Sequence, residues 1–162
     1  MFETRGKKWV HFEDPHRNTF VAHDDPWTNT GRPRLTALDH VSVVTRDETR
    51  AQAFFAIVPG MESSKLPGWG FLEYRLTQKG TAVVPFRPTP DMYADWTDIS
   101  DMDKDLARIG ERPHVQFVTR GLGGLHDDLS RAGVRCSEAF QPVWGTVLEF
   151  IDPDGNRYLA VH

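Results

Sequence analysis

His40-Val41-Ser42-Val43-Val44-Thr45-Arg46 and, 74 positions later, His114-Val115-Gln116-Phe117-Val118-Thr119-Arg120 decide how this chain is read. Each stretch opens on histidine, alternates polar and apolar side chains, and closes on Thr-Arg. A second pair follows in the same order: Leu72-Glu73-Tyr74 and Leu148-Glu149-Phe150, 76 positions apart. Two ordered matches at nearly one spacing mark an internal duplication. The repeated units span about 37–88 and 112–162.

Both units carry the same succession of signals. An alternating strand opens each, at 38–45 and 113–119. A helix follows. In the first unit Thr45 and Glu48 have capping-box spacing, and Ala51, Phe54, Phe55 and Val58 form an apolar stripe before Pro59-Gly60. In the second, Leu122, Leu125 and Leu129 form the stripe and Gly133 closes it. Three further strands are expected near 62–66, 69–77 and 80–87, and again near 135–140, 144–151 and 156–161. Asp152-Pro153-Asp154-Gly155-Asn156 is a tight turn, with proline pre-set and glycine free to take positive φ. Each unit reads as βαβββ.

One helix covers only one face of such a sheet. Two units side by side therefore form an α+β fold, in which a curved mixed sheet wraps a cavity. Strand alternation assigns the faces. Val41, Val43, Val115, Phe117, Leu72, Tyr74, Leu148 and Phe150 pack against helices. His40, Ser42, Val44, His114, Gln116, Val118, Phe71, Glu73, Arg75, Val147 and Glu149 face the trough. Polar residues gather on that side, as in a ligand pocket.

The rest of the chain falls outside the repeat. Residues 89–111 connect the units. There Met92, Trp96, Ile99, Met102, Leu106 and Ile109 recur at helical spacing after Thr89-Pro90, so an amphipathic connector or a lid is expected. Residues 1–36 hold a hairpin-like segment and a linker. Phe12-Glu-Asp-Pro-His-Arg-Asn-Thr-Phe-Val-Ala22 aligns with Phe150-Ile-Asp-Pro-Asp-Gly-Asn-Arg-Tyr-Leu-Ala160, 138 positions on, which places His11 at the position of Glu149. It reads as an extra N-terminal β-hairpin over 8–23, either adding to a sheet edge or vestigial. Residues 37–162 are expected to make one structural domain.

Composition narrows the function. The 162 residues are 39% hydrophobic and 26% charged, a globular balance. A net charge of −4 and the lack of a basic run argue against nucleic acid. No apolar stretch is long enough to span a bilayer, and no signal-peptide core opens the chain. Cys136 is the sole cysteine, so no internal disulfide forms. A cytoplasmic protein without a membrane partner is expected.

Leu38-Asp39-His40-Val41, the helix with Phe54-Phe55, and Trp144-Gly145 leading to Phe150-Ile151-Asp152-Pro153-Asp154-Gly155-Asn156 resemble the vicinal oxygen chelate superfamily. That group includes glyoxalase I, bleomycin-resistance proteins and extradiol dioxygenases. The resemblance spans about 37–162. It implies a metal ligand on the first strand of each unit, where His40 and His114 stand, and a glutamate on the last strand. The last-strand positions are instead Leu159 and residues within Val83-Val84-Pro85, which cannot ligate through side chains. Glu73 and Glu149, one strand earlier, are the substitutes. The resemblance also implies a homodimer.

Two readings stand. In one, the protein sequesters a small aromatic or cationic molecule without catalysis, lined by Ser42, Trp69, Phe71, Arg75, Gln116, Trp144 and Val147. In the other, His40, His114 and Glu149 hold one divalent metal (Fe, Mn, Ni or Zn). That ion would serve a lyase, isomerase or dioxygenase acting on vicinal oxygens, with Glu149 or Glu73 moving the proton. The missing last-strand carboxylates favour binding; the paired histidines favour chemistry.

Overall fold

The computed structural model describes residues 2–4, 7–13, 19–23, 38–65, 71–78, 80–90, 99–111, 113–143 and 145–162. They fall into two compact units, Met1–Leu38 and Asp39–His162. The first holds strands β1 (Phe2–Thr4), β2 (Lys7–Glu13) and β3 (Thr19–His23) in one antiparallel sheet ordered β1-β2-β3.

The second unit contains the duplication. Its first module runs β4 (His40–Val44), α1 (Glu48–Ile57), β5 (Glu62–Lys65), β6 (Leu72–Arg75) and β7 (Ala82–Phe86). Helix α2 (Ile99–Ala107) follows. The second module runs β8 (Pro113–Val118), α3 (Leu122–Arg131), β9 (Arg135–Cys136), β10 (Val147–Ile151) and β11 (Arg157–Val161). The sheets have the same topology: β4-β7-β6-β5 and β8-β11-β10-β9. In each, the first strand pairs in parallel with the last, and the other pairings are antiparallel. Neither sheet is closed. This is the α+β pair of βαβββ modules that the repeat implies.

The N-terminal likeness extends to register. Val10 pairs with Ala22 and Phe12 with Phe20. Their counterparts 138 positions on, Leu148 with Ala160 and Phe150 with Tyr158, pair in the same way. The first hairpin therefore repeats the last, despite Arg17 at the turn glycine's position.

Helix α1 starts later than the capping-box spacing predicts. Its N-cap is Asp47, whose side chain accepts from the Arg50 amide. Thr45 is instead drawn away. Its hydroxyl donates to the Asp154 carboxylate, and its Oγ1 accepts from the Asp47 amide at 3.2 Å. A tertiary bond has displaced a local one. The strand expected at 135–140 is also shorter, with a bridge between Phe140 and Val147 continuing its line. In the connector, the half-buried Met102, Leu106 and Ile109 follow the expected stripe. Met92 and Trp96 lie outside the described residues.

The core explains how the modules hold together. Phe55 and Tyr158 are fully buried, Phe150 is 2% exposed and Phe54 is 5% exposed. The Phe54 ring lies 5.7 Å from Tyr158 and 6.3 Å from Phe150, and Phe55 lies 5.5 Å from Tyr158. Helix α1 of one module thus packs its aromatic face onto the helix-bearing face of the other module's sheet. Burying each such ring contributes about 1.5–3 kcal/mol. A polar latch seals the same junction: Asn156 Nδ2 donates to the Val44 carbonyl at 3.0 Å, and the Arg46 amide donates to Asp154 Oδ2 at 2.8 Å. The opposite face of each sheet is turned out of this shared core.

Candidate functional site

Those outward faces carry the polar residues that alternation placed there. On the first, Glu73 and Arg75 stand two apart on β6 and so share a side. Arg75 grips Glu73 with two bonds, Nε to Oε1 at 3.0 Å and Nη2 to Oε2 at 2.9 Å. Ser64 opposes Glu73 across β5 and donates to Oε1 at 2.7 Å. Arg75 also stands 3.5 Å from an Asp39 oxygen. The other oxygen of Asp39 lies 2.9 Å from His40 Nδ1. With its proton on Nδ1, His40 donates to Asp39 and leaves Nε2 as an acceptor. The first wall is therefore one connected network of His40, Asp39, Arg75, Glu73 and Ser64.

Electrostatics follow from that geometry. Glu73 is buried and held below the ordinary carboxylate value of 4.5, mainly by the Arg75 hydrogen bonds and further by Ser64, against an opposing desolvation. A depressed folded-state pKa contributes stability above the unfolded value that is lost as pH falls through the folded one. Denaturant melts of the wild type should therefore lose stability on acidification below about pH 4.5. Arg75→Gln should be less stable at neutral pH, and its deficit should shrink toward pH 3. A deficit constant from neutral to acid pH would overturn the assignment.

The second wall is simpler. Arg157 on β11 reaches diagonally to Glu149 on β10, with Nε donating to Oε2 at 2.9 Å. Ser137 Oγ accepts from the Glu149 amide at 3.1 Å. Gln116 and Ser42 are exposed, and Val118 is 80% exposed. Val147 shares this face but is fully buried, while Phe71 is half-buried beside the first wall's strand. His114 lies on β8, described only in its backbone; Trp69 and Trp144 lie outside the described residues.

Four participants escaped the sequence reading: Asp39, Ser64, Ser137 and Arg157. Asp39 stands beside His40 in the motif itself. Arg157 would have emerged from the hairpin register, since Ile151 pairs with Arg157 and places it diagonal to Glu149.

Arginines already occupy part of the donor set that the resemblance implies for a metal. Open catalytic centres need about three protein ligands. Both oxygens of Glu73 are engaged by a guanidinium, and Glu149 Oε2 is held by another. A cation placed there would face Arg75 or Arg157. Among the described residues, no three of His, Cys, Asp and Glu converge on a point that could hold an ion.

Comparison with known proteins places the fold. No family model matches the sequence, and no curated protein matches it either. Solved structures do. The chain has the fold of the glyoxalase/bleomycin resistance protein/dioxygenase superfamily, the vicinal oxygen chelate fold. UcmS2 is similar at 20% identity and a TM-score of 0.64, covering 79% of this chain and 98% of its own. TnmS3, an antibiotic binding protein from Streptomyces sp. CB03234, is similar at 20% identity and TM-score 0.60, covering 80% and 98%. A glyoxalase/bleomycin resistance protein from the same strain gives 21% identity and TM-score 0.56, covering 78% and 100%. Among the described residues, no helix is long and apolar enough to cross a membrane.

Proposed function

We propose that this chain is a metal-free binding protein of the bleomycin-resistance type, which sequesters a flat aromatic molecule, neutral or cationic. The observation that carries this reading is the arginine pairing of both candidate carboxylates, Glu73 with Arg75 and Glu149 with Arg157. Carboxylates so engaged line a hydrogen-bonding wall, and with both Glu73 oxygens and one Glu149 oxygen held by guanidinium groups they are poor company for a cation. The similarity to an antibiotic binding protein supports the same class.

The pocket forms between the first module of one copy and the second module of another in a homodimer. Within one chain the helix-bearing faces are consumed by the aromatic core, and the polar faces look outward with Ser42, Gln116 and Val118 exposed. A second copy supplies the facing wall. Trp69, Phe71 and Trp144 contribute stacking surfaces, and Ser42, Arg75 and Gln116 hydrogen bonds. The competing reading, a metal-dependent lyase, isomerase or dioxygenase in the cytoplasm, is favoured by the Asp39–His40 pair. A carboxylate at Nδ1 is also how metal-bound histidines are oriented.

Elemental analysis separates the two. Protein without a histidine tag, from cells supplemented with iron, manganese, nickel and zinc, should carry metal far below one equivalent. A His40→Ala/His114→Ala variant should match it. Stoichiometric metal that vanishes in the variant would overturn the proposal. In parallel, tryptophan quenching by a panel of polycyclic aromatic compounds should saturate, and sedimentation equilibrium should return a dimer.

A further inference from the structure

A second cleft, of about 640 Å³, opens at the end of the second module's sheet beside helix α1, lined by neither Glu73 nor Glu149. Arg50, Ala53, Phe54 and Ile57 of α1 form one side, and Val134, Arg135, Ile151 and Pro153 of the second module the other. Its volume falls in the range of small-molecule sites, about 300–1,000 Å³. The floor is apolar: Phe54 and Val134 belong to the core, and Ile57 is left 46% exposed at the edge.

Charge defines what the cleft takes. Arg50 and Arg135 are both exposed, and among the described residues neither guanidinium has a hydrogen-bond or ion-pair partner. Elsewhere in this unit Arg46, Arg75, Arg131 and Arg157 hold acceptors, whereas the exposed Arg87 and Arg120 have none among the described residues; of these free arginines only Arg50 and Arg135 line the cleft. The cleft's one carboxylate, Asp152, already accepts from the Asp154 and Asn156 amides, Asn156 Nδ2 and the Tyr158 hydroxyl. It is not spare for either arginine. Two free guanidinium groups beside an apolar channel complement a ligand with a hydrocarbon body and an anionic head. We infer that this cleft binds an amphipathic carboxylate, its chain along Phe54, Ile57 and Val134 and its carboxylate between Arg50 and Arg135. Planar guanidinium forks suit that head group.

Decanoate is the probe, with decyltrimethylammonium and decanol as controls of opposite and no charge. In amide-resolved NMR titrations decanoate should shift residues 50–57, 133–135 and 151–153 saturably. The cationic analogue should bind about tenfold or more weakly. Arg50→Gln/Arg135→Gln, both exposed positions, should keep the native amide spectrum, weaken decanoate about tenfold and leave decanol unchanged. Decanoate binding that is absent, or equal in the double variant, would overturn the inference. Shifts confined to Ser42, Glu73 and Glu149 would also overturn it, while leaving the proposed pocket intact.

Discussion

Replacing Asp152 with alanine lowers the unfolding midpoint by roughly 8–16 °C, the shift that about 4 kcal/mol produces in a chain of this size. Asp152 is 4% exposed and sits at the start of the turn between the last two strands. Its Oδ1 accepts from the amides of Asp154 and Asn156, each at 2.9 Å; its Oδ2 accepts from Asn156 Nδ2 at 2.9 Å and from the Tyr158 hydroxyl at 3.0 Å. Burial, reinforced by Asp152 itself, keeps that phenol protonated far above its usual range. Truncation strands several donors where water does not reach, and each unmet donor costs about 1–3 kcal/mol. The damage spreads, because Asn156 also ties the turn to Val44 in the other module. Pro153→Ala at the exposed neighbour should change the midpoint little. Calorimetry of the two variants decides the matter. A loss for Asp152→Ala no larger than that for Pro153→Ala would mean the turn acts only through its backbone.

That turn also marks where sequence reading stops. The Asp-Pro-Asp-Gly-Asn signature identifies a turn because proline and glycine restrict backbone angles locally, and Gly155 does adopt φ 97°. It says nothing about Asp154 reaching 108 residues back to Arg46. Periodicity likewise put Glu73, Arg75 and Glu149 on the faces opposite the helices, because alternation is a property of one strand. Partners belong to neighbouring strands. Arg75 was visible as a companion of Glu73 from spacing alone, whereas Arg157 required the hairpin register. The duplication was the most legible feature of all: α1 and α3 are both ten residues long and start 74 positions apart. Duplication reveals the module, but not which faces of two modules meet. Here the large rings at 54, 55, 150 and 158 decide that, and they are read equally well as two separate cores.

The consequence of that aromatic choice can be measured by mixing two blocked proteins. Ser42→Trp fills the exposed first wall, and Gln116→Trp fills the exposed second wall; each pure homodimer should have lost its aromatic ligand. When the two variants are unfolded together and refolded in equal amounts, about half of the dimers are mixed. If each pocket joins the first module of one copy to the second of the other, a mixed dimer holds one pocket blocked on both sides and one blocked on neither. About a quarter of all pockets then regain the parent affinity, since a two-fold interface places each wall opposite its complement. A pocket built within one chain regains none, because every chain carries a block. Fluorescence-quenching stoichiometry with whichever panel compound binds the parent reads the difference directly. A recovered fraction near zero, with subunit exchange shown by mass spectrometry, would refute the shared pocket and return both walls to a single chain.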